Sequence, residues 1–176
     1  MELFATDRLS VREFTSIDID YFIELLSDPE IRRPVPQPTW SEDKINSMFE
    51  EFCDYEKDPL TKERSAWGVF ESSKTELIGL CALLTNDDGQ RELGYRFRHK
   101  YWGKGYGTEV TKNFIDYCFS SLQLEVIAAD VNIENIGSVK ILEKFFSPVN
   151  QFFNERDQCY DRRYVLNKSD WQLYYK

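Results

Sequence analysis

The residues with the clearest chemical purpose lie near the middle of the chain, in Tyr101-Trp102-Gly103-Lys104-Gly105-Tyr106-Gly107-Thr108-Glu109. Three glycines at alternate positions stand between a strand-like run and a long amphipathic segment. Glycine lets the backbone adopt left-handed torsions and approach a ligand closely. The start of a following helix adds N–H groups without partners at the positive end of its dipole. Such a segment is built to receive an anion, and phosphate is the ordinary guest. The surrounding charge agrees. The chain of 176 residues carries a formal charge of −9, yet residues 90–112 hold Arg91, Arg96, Arg98, Lys100, Lys104 and Lys112 against Glu92 and Glu109. A basic stretch this confined suits a small anionic cofactor. A nucleic acid is usually met by basic charge spread over a whole face, and none is expected as a partner.

What the chain lacks narrows the chemistry further. It has no G-x-x-x-x-G-K-[ST] loop, and the glycine spacing misses the second half of a dinucleotide fingerprint. The sole histidine, His99, lies between Arg98 and Lys100, a poor setting for a catalytic triad. Cys53, Cys81, Cys118 and Cys159 are far apart with no C-x-x-C, so no metal site is expected; their largely apolar neighbours suit reduced thiols in a cytoplasmic protein. Met1 to Arg8 offers no basic leader, and no run approaches eighteen apolar residues, so neither export nor membrane insertion is expected.

The elements that must position the glycine loop can be read from periodicity. Leu9 to Phe14 alternates as a strand, and Thr15 and Ser16 can cap a helix carrying Ile19, Phe22, Ile23 and Leu26 at helical spacing until Asp28-Pro29 ends it. Pro34, Pro36 and Pro38 impose an extended loop, after which Ser41 can cap a helix with Ile45, Met48, Phe49 and Phe52 on one side. That loop and helix form either a lid or an ordinary helix connection. Trp67–Glu71, Leu77–Leu84 and Glu92–Phe97 then read as an antiparallel meander, with Asn86-Asp87-Asp88-Gly89 as its second turn. Beyond the glycines, Val110, Phe114, Tyr117 and Cys118 keep helical spacing, and Val126 to Ala129 has the continuous apolar character of a strand buried on both faces. A helix from about Asn135 and a final hairpin over Gln151–Leu166 complete a single α+β domain spanning residues 1–176.

This order resembles the GNAT superfamily of acyl-CoA-dependent N-acetyltransferases, over nearly the whole chain. It is most similar to the branch of ribosomal-protein N-terminal alanine and serine acetyltransferases. That branch opens as Thr6-Asp7-Arg8-Leu9 with Arg12, then Leu25-Leu26-Ser27-Asp28-Pro29. Its central signature is Glu92-Leu93-Gly94-Tyr95 leading into Tyr101-Trp102-Gly103-Lys104-Gly105-Tyr106 and Glu109, and its close is Tyr164-Val165-Leu166 with Asp170-Trp171. The family's Q/R-x-x-G-x-G/A motif falls on Trp102, Gly105 and Gly107. The resemblance implies a three-layer fold with a mixed, mostly antiparallel sheet and an acyl-CoA cleft between two central parallel strands. It implies acetyl-CoA as cosubstrate, with the pyrophosphate on the N–H groups of Gly103, Lys104, Gly105, Tyr106, Gly107 and Thr108. The pantetheine would lie along the backbone of Tyr95, Arg96 and Phe97, and Asn135 would contact CoA.

By the same resemblance the reaction is direct attack of an amine on the thioester in a ternary complex. An ammonium has no lone pair, so a base is needed, and Glu92 or Asp130 can serve, Glu92 being preferred. The alternatives are a cross-strand ion pair for Glu92 and a strand-end cap for Asp130. Many relatives place an acidic tyrosine seven residues after the asparagine; here that position is Leu142, and Ser138 is the substitute proton donor, or else a serine that satisfies a helix's first turn. Where the family ends this helix with Gly-Phe, the chain has Phe146-Ser147-Pro148, which leaves the helix end unexplained. The acidity outside the basic window favours a cationic acceptor, either a protein N-terminus or a small polyamine-like molecule, with the enzyme a monomer or homodimer. The rival reading is a module of the same shape that binds acyl-CoA without turnover.

Overall fold

A computed structural model gives the structure of residues 1–175. Eight strands and six helices follow in the order β1 (Glu2–Ala5), β2 (Leu9–Arg12), α1 (Ile19–Ser27), α2 (Pro29–Arg32), α3 (Glu42–Phe52), β3 (Arg64–Glu71), β4 (Leu77–Thr85), β5 (Arg91–Phe97), α4 (Tyr106–Ser120), β6 (Val126–Asn132), α5 (Ile136–Leu142), β7 (Ser147–Asn154), β8 (Cys159–Asn167) and α6 (Lys168–Tyr174). They form one sheet in the order β1-β2-β3-β4-β5-β6-β8-β7. Every neighbouring pair is antiparallel except β5 and β6, which are parallel. The α+β class, the three layers and the central parallel pair are those expected.

Alternation along the strands sends apolar side chains to both faces and so creates two cores. On one face α1 buries Phe22, Leu25 and Leu26, and α3 buries Ile45, Met48, Phe49 and Phe52, against Phe70, Leu80 and Ala82 of the sheet. Each such side chain contributes about 1.5–3 kcal/mol by leaving water. The helix built from Ser41 is therefore a structural layer rather than a free lid. On the opposite face α4 buries Val110, Phe114, Ile115 and Cys118 beside Leu83, Leu93, Ile127 and Ala129, with Val139 and Leu142 of α5 and Trp171 of α6 in the same cluster.

Local chemistry accounts for most boundaries. Asp28 does not merely end α1; its carboxylate accepts the Glu30 N–H at 2.9 Å and, with Pro29 in the first turn, starts α2. Ser41 caps α3 through Lys44 N–H. Asn86 accepts from the N–H groups of Asp88 and Gln90 to build the β4–β5 turn, closed by Gly89 at φ +74°. The missing Gly-Phe pair is resolved without a left-handed residue. The chain tightens instead through Lys144 N–H to Ile141 C=O, and through Phe145 and Phe146 N–H to Leu142 C=O, before entering β7. Strand β1 and helices α2 and α6 are additions to the elements read from sequence.

Candidate functional site

Strand β5 is the centre of the site. Its seven residues pair with β4 from Arg91 to Phe97, but its ladder with β6 contains the single pair Glu92–Ala128. Beyond that point the two parallel strands part. Arg98 N–H donates to Ile78 C=O, so the alternation of an antiparallel ladder turns the main chain of Arg96 toward β4 and that of Tyr95 and Phe97 toward the gap. Arg96 C=O lies so close to Gly79 that a Cβ added there would sit 2.4 Å from it. Of the two main chains facing the gap, Phe97 C=O accepts the Trp102 indole N–H at 2.8 Å, while Tyr95 has no partner in β6. Of the three residues expected to line the cleft by their backbones, Arg96 thus turns its main chain to β4, and its side chain donates to Gln37.

The glycine loop closes one end of this gap. Gly103 and Gly105 hold φ of +74° and +82°, torsions that favour glycine, and Gly105 caps α4. After Trp102 the next main-chain donor engaged with a carbonyl is Glu109, to Gly105 C=O, which leaves the N–H groups of residues 103–108 without a carbonyl partner at the helix start. The loop is braced from the far end of the chain. Arg8 donates to Lys104 C=O at 3.0 Å, pairs with Glu109 at 2.5 Å and lies over the Tyr106 ring. Lys104 itself stacks its ammonium over Tyr101, and Thr108 accepts from Lys144. At Gly107 a Cβ would sit 2.8 Å from Ile141, so glycine here lets α4 and α5 meet.

The two faces of β5 carry different side chains. Tyr95 lies on the α4–α5 side, its ring near Gly107. Its hydroxyl is buried, faces Ser138 and closes no well-formed hydrogen bond. Burial raises its pKa to about 12, partly opposed by that serine. Ser138 is in the first turn of α5, where its N–H is capped by Asn135 Oδ1 at 3.2 Å. The asparagine side chain is thus engaged in starting the helix. Leu142 is buried in the core and offers no acid.

Glu92 lies on the other side of the sheet, opposite Leu84. Burial, followed by the Asp130 charge, pushes its pKa up to about 8, opposed by the Asp130 main-chain N–H and by the Arg156 charge, and no side chain of a described residue is hydrogen-bonded to it. Asp130 shares that face in β6 but is engaged differently. Arg163 grips both of its oxygens at 2.8 and 2.6 Å and also pairs with Asp88. Burial and the Asp161 and Asp87 carboxylates push Asp130 upward, while the two-point guanidinium contact favours its ionised form. With both oxygens bonded, the ion pair decides and Asp130 stays a carboxylate. The cross-strand ion pair considered for Glu92 belongs to Asp130. The structure thus brings Glu92, Asp130, Tyr95, Ser138 and the loop around one gap, with Glu92 and the Tyr95–Ser138 hydroxyls on opposite faces of it.

Residues 8–145 match the family described as Acetyltransferase (GNAT) domain. An uncharacterized N-acetyltransferase of Bacillus licheniformis, p20, is 30% identical over 145 residues, 81% of this chain and 80% of that protein. The fold is similar to that of spermidine N-acetyltransferase from Vibrio cholerae, solved with CoA and spermine, with a TM-score of 0.78 at 20% identity over 95% of this chain and 99% of that one. It is also similar to a candidate ribosomal-protein-serine acetyltransferase from Vibrio cholerae, with a TM-score of 0.74 at 19% identity over 95% and 97%. At these identities the two structures speak for the fold alone.

Proposed function

Because this chain belongs to the GNAT acetyltransferase family, we propose that it moves the acetyl group of acetyl-CoA onto a primary amine by direct attack in a ternary complex. The observation that carries this reading is the parting of β5 and β6 beyond Glu92–Ala128, with N–H groups that have no carbonyl partner at one end and, at the other, a raised-pKa carboxylate that no guanidinium grips. Residues present fit the cosubstrate: the N–H groups of residues 103–108 suit a pyrophosphate, and the unpaired Tyr95 edge suits the amides of an extended arm. Acetyl-CoA supplies the activated acyl group.

The protein's own part divides between the faces. Glu92 takes the proton of the incoming ammonium, directly or through water, and its raised pKa matches that task near neutrality. A main-chain N–H on the Tyr95 edge polarises the thioester oxygen. Ser138, with Tyr95 beside it, delivers a proton to the sulfur as it leaves on the opposite side. Asp130 positions Arg163 and keeps negative charge near Glu92. The acceptor is an amine of a protein N-terminus or of a small molecule. Thiol release from acetyl-CoA, followed across N-terminal peptides, polyamines and amino acids, tests the proposal. Amine-dependent release supports it, whereas tight CoA binding without release from any amine would favour a binding module.

A further inference from the structure

Two arginines on the Glu92 face have lost the partners that arginines in this chain otherwise find. Glu92, Gly94 and Arg96 occupy alternate positions of β5, opposite Leu84, Ala82 and Leu80, and so share the α1–α3 face. Arg96 donates through Nη2 to Gln37 Oε1 at 2.7 Å, but its Nη1 is buried without a partner. Arg32, at the end of α2, donates through Nη2 to Thr39 Oγ1 at 2.5 Å, and its Nε is likewise buried and unpartnered. Neither makes an ion pair among the described residues. Every other arginine holds a carboxylate or, for Arg91, main-chain carbonyls.

A buried guanidinium without a counter-charge is costly, and two that sense each other are costlier. Burial first, and then the Arg32 charge, depress Arg96 to about 10, which places the two guanidiniums within electrostatic reach. The chain carries 31 acidic residues, so a counter-ion was available in composition and is absent from this position. Both arginines are tethered by neutral groups of one proline-rich segment, Gln37 and Thr39, which orient them and leave their charge unspent. Between Arg96 and Glu92 the floor is Gly94, where an added Cβ would touch only Leu84 at 3.8 Å. Four residues of strand separate the Cα atoms of Glu92 and Arg96 by about 13 Å.

We propose that Arg96 and Arg32 form the anion-binding end of the acceptor site, so that the acceptor is an amine that also carries a carboxylate or phosphate. The amine would lie by Glu92, the acceptor's chain over Gly94 and its anionic group against the two guanidiniums. This rests on the acetyl-transfer reading for the amine end alone; anion binding stands or falls independently of it. It also leads away from a polyamine acceptor, which would bring cations to a cationic end.

Calorimetry on the CoA-saturated protein tests the site with ω-amino acids of four to eight carbons, ω-aminoalkyl phosphates, and diamines and simple alkylamines of equal length. At least one amino acid or aminoalkyl phosphate is expected to bind ten times or more tightly than its matched diamine, and the tighter of the two series identifies carboxylate or phosphate. Arg96→Gln and Arg32→Gln should each remove most of that preference, and Arg32→Lys should retain part of it. Thermal melting separates misfolding from lost recognition, and Arg32→Gln carries the test if Arg96→Gln does not fold. Equal or tighter binding of diamines, no binding of either anionic series, or a preference unchanged in the folded variants would overturn the proposal. Thiol release in the same solutions distinguishes the two readings. Faster turnover of diamines would sink the anion site and leave acetyl transfer standing. An intact anion preference with no release from any amine would do the reverse.

Discussion

The two faces of β5 are made from neighbouring residues of one strand, yet they are organised by opposite principles. Leu93, Tyr95 and Phe97 face α4 and α5, where apolar packing dominates and the polar groups are mostly main-chain N–H donors and hydroxyls. Glu92, Gly94 and Arg96 face α1–α3, where charged side chains border a residue with no side chain at all. The first face suits a ligand recognised by backbone, through phosphates and amides. The second suits a ligand recognised by side chains. In the proposed reaction the amine attacks the thioester through the gap between the faces, with the proposed base and acid on opposite sides of it.

The most disruptive break in this division is Glu92→Gln. It should lower kcat/KM by roughly 10²–10⁴-fold without weakening CoA binding, as measured by steady-state kinetics and calorimetry. In the parent protein kcat/KM should rise with pH and level off above about pH 8, where Glu92 is ionised; this limb should vanish in the variant. The stability effect has the opposite sign. Between the ordinary value of 4.5 and about 8 the folded state retains a proton that the unfolded chain has lost, so folding weakens as pH rises through that window. The glutamine variant, which does not titrate, should therefore gain stability relative to the parent from pH 5 to pH 9 in denaturant titrations.

Breaking the other face calls for a charge in the loop. Gly105→Glu should weaken CoA binding on the order of a hundredfold or more, because a carboxylate beside the loop's N–H groups repels a pyrophosphate. It should also cost roughly 1–2 kcal/mol in melting experiments from the left-handed torsion at that position. Unaltered CoA affinity in the folded variant would remove the loop from the site.

Asp130→Asn sharpens the contrast between the two carboxylates. Removing one partner of the Arg163 pair, whose side chains are only 14% and 9% exposed, should cost about 3–5 kcal/mol of folding stability. The pH limb near 8 should survive in shifted form, toward lower pH, because a charge that raises Glu92 has gone. A vanished limb would instead make Asp130 the base. The smallest effects belong to the hydroxyls. Tyr95→Phe and Ser138→Ala should each lower kcat by about tenfold and together by more, with the loss shrinking for an acetyl thioester whose leaving thiol is more acidic.

Much of this architecture was legible because the signals are local. Gly103 and Gly105 announce themselves since few other residues hold a positive φ, and Asn86 to Gly89 and Ser41 act on neighbours within a few residues. The apolar spacing of α3 and α4 follows from helical geometry alone. Less legible were the pieces that join distant positions. The Arg8 brace on Glu109 spans 101 residues, the Arg96 contact with Gln37 spans 59 and the Asp130–Arg163 pair spans 33. No periodicity reports such contacts, so Glu92 held only a preference over Asp130 until Asp130 was found held by Arg163 and Glu92 without a side-chain partner among the described residues. The side chains of Tyr95 and Arg96 were missed for the same reason: the strand was read as a backbone edge, although its alternation already placed them on opposite faces.

The sequence by itself determined the order of most elements and the glycine-rich loop before α4, because propensity, capping and periodicity act within a few residues. Only the tertiary structure decided which face each group lies on, which carboxylate is held by a guanidinium and which arginines lack a counter-charge among the described residues. Those properties depend on burial and on partners brought together from far along the chain, and electrostatic energy in a desolvated site is set by distance in space.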